Sequence, residues 1–174
     1  MKKKGLMIGG ICLAVVAGIL GYNHEAVRVV FHNVYSPSVK LDESTEWDGG
    51  NSYEKLQYSE VSENDYLDLY VPDSDEPMPM IVMVHGGGFV FNDSQAQLMY
   101  RYFRDHGYAC ASINYRLAQE AAFPAGVEDV KSAIRFLRAN AEKYGYDPER
   151  FAIWGESAGG YLSVICGASN DEEF

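Results

Sequence analysis

The chain has 174 residues, enough for one domain with a sizeable core, and 47% of them are hydrophobic. The formal net charge of −11 argues against nucleic acid, or an anionic membrane surface, as a partner of the soluble part. The three cysteines do not make a disulfide framework, and none has metal-ligand spacing with another cysteine or a histidine. We therefore expect neither a metal nor another cofactor.

Three lysines and then an uninterrupted apolar run open the chain, which predicts an export signal over residues 1–22. The apolar run is near the lower limit of length for a membrane span, roughly 17–25 residues. No A-x-A-like cleavage site follows it, so we favour an uncleaved signal anchor, with a cleaved signal peptide as the alternative. Because the basic residues precede the run, we expect an exported domain that is anchored to the membrane or, after cleavage, secreted.

Residues 23–52 predict a tether, because their second half is acidic and rich in turn-forming residues. Residues 53–174 predict the folded domain. Residues 53–61 and 66–71 alternate in the manner of strands and predict an antiparallel hairpin at a sheet edge. The apolar residues 80–85 predict a buried strand.

Further along, residues 95–106 predict a helix that Gly107 ends, and residues 108–115 predict another strand. Apolar side chains recur at helical spacing from Val127 to Ala141, which predicts a long crossover helix. Residues 144–148 predict the turn into the next strand. Strands that alternate with helices in this way favour an α/β fold with a mostly parallel sheet, flanking helices and right-handed crossovers.

The predicted strand of residues 80–85 runs directly into His85, Gly86, Gly87 and Gly88. H-G-G-G after a strand is typical of an oxyanion-hole loop. The tetrahedral intermediates of acyl transfer place a negative oxygen near the nucleophile, and backbone N–H donors must approach it closely. Consecutive glycines allow that approach, so we expect the N–H groups of Gly86 and Gly87 to be donors.

Residues 151–162 predict a short strand, a sharp turn and the start of an apolar helix, and the turn has the G-x-S-x-G pattern of a nucleophile elbow. We predict that Ser157 is the nucleophile and that the N–H of Ala158 is the third oxyanion donor. Gly155 and Gly159 flank the serine because a β-carbon at either position would collide with the neighbouring strand or helix. The helix N-terminus favours negative charge beside the serine.

Together these segments resemble the α/β-hydrolase fold, and within it the H-G-G-G carboxylesterase and lipase family, hormone-sensitive-lipase-like or feruloyl-esterase-like. The resemblance runs from about Leu56 to residue 174. It implies a serine hydrolase of carboxylic esters with an acyl-enzyme mechanism. Its substrates would be short acyl esters, or acetyl or feruloyl groups on polysaccharides. Besides the two glycine motifs, the matched segments are residues 114–117, 123–125, 129–137 and 144–148.

The resemblance also implies which motif residues support the site rather than react. In the loop these residues are His85 and Gly88, and at the elbow they are Gly155, Glu156 and Gly159. In this family His85 would stabilise the loop and would not act as the catalytic base.

In α/β hydrolases the catalytic acid and then the histidine follow the serine in the chain. The 17 residues after Ser157 (174 − 157) contain acidic residues but no histidine. His24 and His32 lie beside the apolar N-terminal run, and His106 ends a predicted helix, so none is a credible base. We therefore expect the triad acid and histidine, and the C-terminal half of the fold, to be missing from this chain. The strand before Ser157 would then be an exposed apolar edge.

Two further interpretations follow from the absence of the expected acid and histidine after Ser157. The chain could be a catalytically inactive truncated remnant, or a binding module that uses the fold. Among hydrolases, a formamidase or a serine peptidase would share the same nucleophile and the same oxyanion hole. The sequence does not separate these substrate classes.

Overall fold

The computed structural model describes residues 49–96 and 99–169, which belong to one compact unit, Leu41–Phe174. The predicted signal segment of residues 1–22 and most of the predicted tether lie outside these ranges, as do residues 170–174, which include the acidic residues after Ser157. In the described ranges, no helix has the length and apolar character needed to cross a membrane.

The elements alternate between strands and helices after an initial hairpin. In chain order they are β1 (Gly50–Gln57), β2 (Tyr66–Pro72), β3 (Met78–Val84), a 3-10 turn (Ser94–Ala96), α1 (Tyr100–Arg104), β4 (Ala109–Ile113), α2 (Ala125–Ala139), α3 (Ala141–Tyr144), β5 (Tyr146–Gly155) and α4 (Ala158–Ala168).

The five strands form one sheet in the order β1-β2-β4-β3-β5. β1 and β2 pair antiparallel at one edge, which is the predicted hairpin, and β1 starts at Gly50, inside the predicted tether. β4, β3 and β5 are parallel, whereas β2 runs antiparallel to β4. The described sheet is therefore mixed. The short β1–β2 connection permits only antiparallel pairing, because parallel neighbours need a crossover of a dozen or more residues.

The two faces of the sheet bury different clusters, as the alternation along β3 requires. Met80, Val82 and Val84 pack with α2 and α4 on one face, and Ile81 and Met83 lie on the other. The second face is covered by aromatic side chains around α1. These are Tyr70, Tyr100, Phe103 and Trp154.

Two helix predictions needed correction. The predicted helix of residues 95–106 is a 3-10 turn and the shorter α1, and residues 97 and 98 lie outside the described ranges. The predicted crossover helix is interrupted at Asn140, whose φ and ψ of −109° and 10° are not helical. The Asn140 side-chain amide donates to the Phe136 carbonyl at 2.8 Å, a local bond of the kind that competes with helix continuation.

The cysteines of the described ranges, Cys110 and Cys166, are buried and free. Burial raises the pKa of the Cys110 thiol to about 12 and that of Cys166 to about 11. Both thiols therefore stay protonated at neutral pH and pack as small apolar groups.

Candidate active site

Ser157 sits in the turn between β5 and α4 in a strained backbone conformation. Its φ is +51° and its ψ is −115°, a region that residues with a β-carbon rarely adopt. The side chain is exposed and forms no capping hydrogen bond to α4. Such strain persists only where the surrounding structure enforces it, and it concentrates at functional sites. The Ser157 hydroxyl is thus presented to solvent at the N-terminus of an eleven-residue helix.

The two elbow glycines make the close approaches that the sequence predicted. A β-carbon on Gly155 would lie 2.4 Å from the carbonyl carbon and oxygen of Gly159. A β-carbon on Gly159 would lie 2.0 Å from the Val84 carbonyl oxygen and 2.6 Å from the His85 carbonyl oxygen. These distances are far inside van der Waals contact and involve backbone atoms that cannot move aside. The turn can be this tight only because both positions are glycine.

The H-G-G-G loop lies against the elbow. A β-carbon on Gly86 would lie 3.4 Å from Cβ of Ser157 and 2.9 Å from the Glu156 carbonyl oxygen. Gly87 has a φ of +122°, and its carbonyl accepts the N–H groups of Val90 and Phe91 at 3.1 and 3.3 Å. Folding therefore brings together two motifs that are far apart in the sequence.

Three backbone amides of the site remain unused by the protein. In the described ranges, the N–H groups of Gly86, Gly87 and Ala158 donate to no protein acceptor. Unpaired amides beside an exposed hydroxyl are what an oxyanion hole requires, because they must be free to bind the developing negative charge. That these amides bind an oxyanion stays a prediction.

The His85 ring is buried beneath the loop. Its Nδ1 lies 2.7 Å from the Gly86 carbonyl oxygen and its Nε2 lies 3.2 Å from Oδ1 of Asn114. The ring also stacks on Tyr115, with 4.3 Å between the centroids. Burial lowers the pKa of His85, against the opposing effect of these two hydrogen-bond partners. Both ring nitrogens are engaged by atoms of the loops that follow β3 and β4, so His85 lies in a supporting position.

The other histidine in the described ranges, His106, is exposed beyond the end of α1. Its Nδ1 lies 2.7 Å from the Tyr102 carbonyl oxygen. Neither His85 nor His106 forms a hydrogen bond with Ser157. The part of the chain that the structure describes therefore provides a candidate nucleophile and unpaired amides, with no histidine hydrogen-bonded to the serine.

The sequence predicted that residues 115–117 lead into a loop that could line the site, but it did not predict the ion pair that holds this loop, just after β4 at the carboxyl edge of the parallel strands. The Arg116 guanidinium makes a salt bridge to the buried Asp129 at 2.6 Å, and the backbone N–H of Arg116 donates to the same carboxylate at 2.9 Å. Paired in this way, the carboxylate raises the pKa of Arg116. This anchors the loop after β4 to α2. Residues at that sheet edge are where ligands bind in α/β folds, which is the signal that could have found them.

A pocket of about 340 Å³ lies beside the two motifs. Phe89, which follows the glycines of the loop, and Tyr161, one turn after Ser157, form part of its wall with their rings 5.8 Å apart in an edge-to-face contact. The lining is largely apolar, so the pocket suits an uncharged group of a small ligand. The remaining lining residues are Tyr115, Arg116, Ala118, Ala121, Phe123, Gly126, Val127 and Leu162.

A larger groove, of about 580 Å³, contains no residue of either motif. It runs beside β5, the edge strand of the described sheet, and is lined by residues of α2, β5 and α4. Its rim carries Lys131, Arg135 and Arg138. Along β5 itself, Ala152 is exposed and Ile153 and Trp154 are only half-buried. This is the exposed apolar edge that the sequence predicted.

The strand–elbow–helix arrangement with an adjacent glycine loop defines an α/β hydrolase. Residues 67–174 match the BD-FAE family, and the chain belongs to this family of α/β-hydrolase esterases. By family it is a carboxylesterase-like hydrolase.

Two relatives with assigned activities are about equally similar. Esterase LipC of Mycobacterium tuberculosis is 36% identical over 102 residues, which cover 57% of this chain and 25% of LipC. The ethyl acetate hydrolase of Pseudomonas putida is 36% identical over 102 residues, covering 56% of this chain and 32% of that protein. The chain thus matches only a quarter to a third of the length of these curated relatives.

Among solved structures, a truncated form of a carbohydrate esterase from gut microbiota superposes with a TM-score of 0.66. It is 34% identical, and the match covers 70% of this chain and 44% of that chain. The likeness supports the fold.

Proposed function

We propose that this chain carries the nucleophile and the oxyanion hole of a serine hydrolase that cleaves carboxylic esters through an acyl-enzyme. The observation that carries the proposal is the approach of Gly86 to Ser157, 3.4 Å from the position of a glycine β-carbon to the serine Cβ. An exposed, strained serine beside unpaired amides has no evident structural purpose, and it suits acyl transfer.

In the proposed reaction, Oγ of Ser157 attacks the ester carbonyl carbon while its proton passes to a base. The carbonyl oxygen becomes an oxyanion, which the N–H groups of Gly86, Gly87 and Ala158 stabilise together with the N-terminus of α4. Collapse of the tetrahedral intermediate releases the alcohol and leaves Ser157 acylated. A water molecule then attacks the acyl carbon by the same route and restores the serine.

The base and the acid that orients it are proposed to come from polypeptide outside the described residues. Two observations support this: the relatives are several times longer than the matched segment, and the β5 edge and its groove lie open. Without a base, the oxyanion hole and binding alone leave on the order of 10³-fold catalysis over water. The chain by itself should therefore acylate slowly.

Short acyl esters and acyl groups on carbohydrates are the proposed substrates. The first is supported by a relative named as an ethyl acetate hydrolase, and the second by a structural neighbour named as a carbohydrate esterase. A largely apolar pocket of about 340 Å³, whose wall includes Phe89 after the loop and Tyr161 after the elbow, would hold a small acyl or aryl group. A formamidase or serine peptidase would use the same serine and amides. We further propose that the domain is exported, anchored through residues 5–21 or secreted after their removal, because three lysines precede that apolar run.

The test follows acylation of the whole chain by p-nitrophenyl acetate, using mass spectrometry of the peptide that contains Ser157. We expect an acetyl group on Ser157 and p-nitrophenol release above the buffer rate, both lost in Ser157→Ala. Ser52→Ala, which removes an exposed hydroxyl from β1, is the matched control and should react like the wild type. Equal release by the wild type and Ser157→Ala, with no adduct, would refute the proposal and favour an inactive remnant or a binding module.

A further inference from the structure

The two peptide groups that carry the loop donors each have their carbonyl held by a side chain. The His85 carbonyl oxygen accepts the Tyr115 hydroxyl at 2.9 Å. The Gly86 carbonyl oxygen lies 2.7 Å from Nδ1 of His85 and accepts the Asn92 side-chain amide at 3.3 Å.

These carbonyl contacts determine where the loop N–H groups point. A trans peptide is planar, so its C=O and the following N–H point in opposite directions. Holding the His85 carbonyl therefore fixes the direction of the Gly86 N–H. In the same way, holding the Gly86 carbonyl fixes the direction of the Gly87 N–H.

Tyr115 is built into the molecule as a rigid donor. Its side chain is 1% exposed and its ring stacks on His85. It lies two residues after β4, and the N–H of the intervening Asn114 donates to the Tyr66 carbonyl at 2.8 Å, which ties this segment to β2. Burial raises the pKa of its hydroxyl to about 12, which keeps the donor proton in place over the physiological range of pH.

The second elbow glycine leaves room for this bond. A β-carbon on Gly159 would lie 2.6 Å from the His85 carbonyl oxygen, the atom that accepts the Tyr115 hydroxyl. Because position 159 is glycine, the same carbonyl can pack against α4 and still accept the phenol. The nucleophile elbow and the oxyanion loop thus meet at one oxygen atom, and Tyr115 binds to that atom.

We propose that Tyr115 is a positioning residue of the oxyanion hole, which holds the Gly86 N–H in its binding direction through the His85 carbonyl. That this site binds an oxyanion rests on the proposed function. The direction of the Gly86 N–H does not depend on that function, so the role of Tyr115 and the function of Ser157 can be tested separately.

Tyr115→Phe removes the hydroxyl and keeps the ring. The matched control is Tyr146→Phe, because Tyr146 is also 1% exposed and donates to a backbone carbonyl, that of Leu137 at 2.7 Å. Leu137 lies in α2 and neither motif contains it. Both variants lose one buried hydrogen bond and should lose similar stability. A merely structural role for Tyr115 would make the two variants behave alike at the site.

The first measurement is the affinity of the whole chain for an alkylboronic acid, followed by boron NMR. Oγ of Ser157 bonds to boron, the serine proton passes to solvent, and boron becomes a tetrahedral anion whose oxygen occupies the hole. This reaction needs no histidine. Loss of a complete oxyanion donor costs roughly 10²–10³-fold in rate, and a misdirected donor should cost less. We expect Tyr115→Phe to weaken boronate binding about tenfold and Tyr146→Phe to weaken it less than about twofold.

The second measurement observes the Gly86 amide itself. Histidine labelled with ¹³C at the carbonyl and glycine labelled with ¹⁵N select only the two His–Gly pairs of the chain, His85–Gly86 and His106–Gly107. His106→Gln identifies the second pair, and Gly107 serves as an internal reference because its N–H donates to Arg104 outside the site. We expect Tyr115→Phe to move the Gly86 cross-peak and leave that of Gly107 unchanged. Tyr146→Phe should move neither.

The outcomes separate the two proposals. A Gly86 cross-peak that Tyr115→Phe does not move overturns the positioning role, as does equal boronate binding by the two phenylalanine variants. If the wild type forms no tetrahedral boronate, the proposed function of Ser157 fails, and the Gly86 cross-peak alone decides the role of Tyr115. A moved Gly86 cross-peak together with selective loss of boronate affinity supports both.

Discussion

The backbone strain at Ser157 can be measured by comparing two substitutions that both remove the hydroxyl. Ser157→Ala keeps a β-carbon at a φ of +51°, whereas Ser157→Gly removes it. The site is well suited to the comparison, because the Ser157 side chain is exposed and forms no capping hydrogen bond. Neither variant therefore loses burial or a helix cap, and the difference between them isolates the backbone conformation.

The magnitude follows from two opposing effects. A residue with a β-carbon in a sparsely populated region costs roughly 1–3 kcal/mol, which glycine relieves. Glycine also gives the unfolded chain more freedom, which costs about 0.4–1 kcal/mol. We expect Ser157→Gly to be about 1 kcal/mol more stable than Ser157→Ala, equivalent to about 2–4 °C in Tm for a domain of this size.

The assay is denaturant unfolding of the whole chain in a mild detergent. Ser52→Gly and Ser52→Ala provide the control, because Ser52 is exposed in β1 and its φ is not positive. At position 52 we expect the opposite order of stability, with Ser52→Gly less stable than Ser52→Ala by roughly 0.5–1 kcal/mol. If Ser157→Gly were no more stable than Ser157→Ala, the conclusion that the fold imposes strain on Ser157 would be wrong.

Two further predictions concern stability. Gly159→Ala would place a β-carbon 2.0 Å from the Val84 carbonyl oxygen, so we expect a loss of more than about 3 kcal/mol in chemical unfolding. Gly167 lies in the same helix, and a β-carbon there would meet no neighbouring atom within 4 Å. We therefore expect Gly167→Ala to raise the stability by about 0.5–1 kcal/mol. Similar losses of stability for the two variants would contradict the packing argument. Asp65 is fully buried, its Oδ2 has no partner in the described ranges, and burial raises its pKa. The folded state keeps the Asp65 proton to higher pH than the unfolded state, so stability should fall as pH rises from about 4 through the raised pKa. In Asp65→Asn we expect this fall to disappear, so that the variant is about 1 kcal/mol more stable than the wild type at pH 7 and little changed below pH 4. Stability–pH curves that run parallel for the two proteins would contradict this prediction.

The fold and the two motifs were accessible from the sequence because their signals are local. A strand, a glycine-flanked serine and an apolar helix follow one another within residues 151–162, and the β1–β2 hairpin is likewise continuous. The end of the crossover helix was not predicted. Periodicity of apolar residues continues past Asn140, but the side-chain bond from Asn140 to the Phe136 carbonyl ends the helix, and periodicity carries no signal for that bond.

The sequence by itself determined the family, the nucleophile candidate and the positions that must be glycine, because each depends on residue type at a fixed spacing. Only the tertiary structure decided which atoms meet. That Gly86 lies against Ser157, and that Tyr115 and Gly159 converge on the His85 carbonyl, depends on the parallel register of β4, β3 and β5. Register and crossover geometry bring distant segments to one edge of the sheet, and contacts between residues far apart in the chain are set only there.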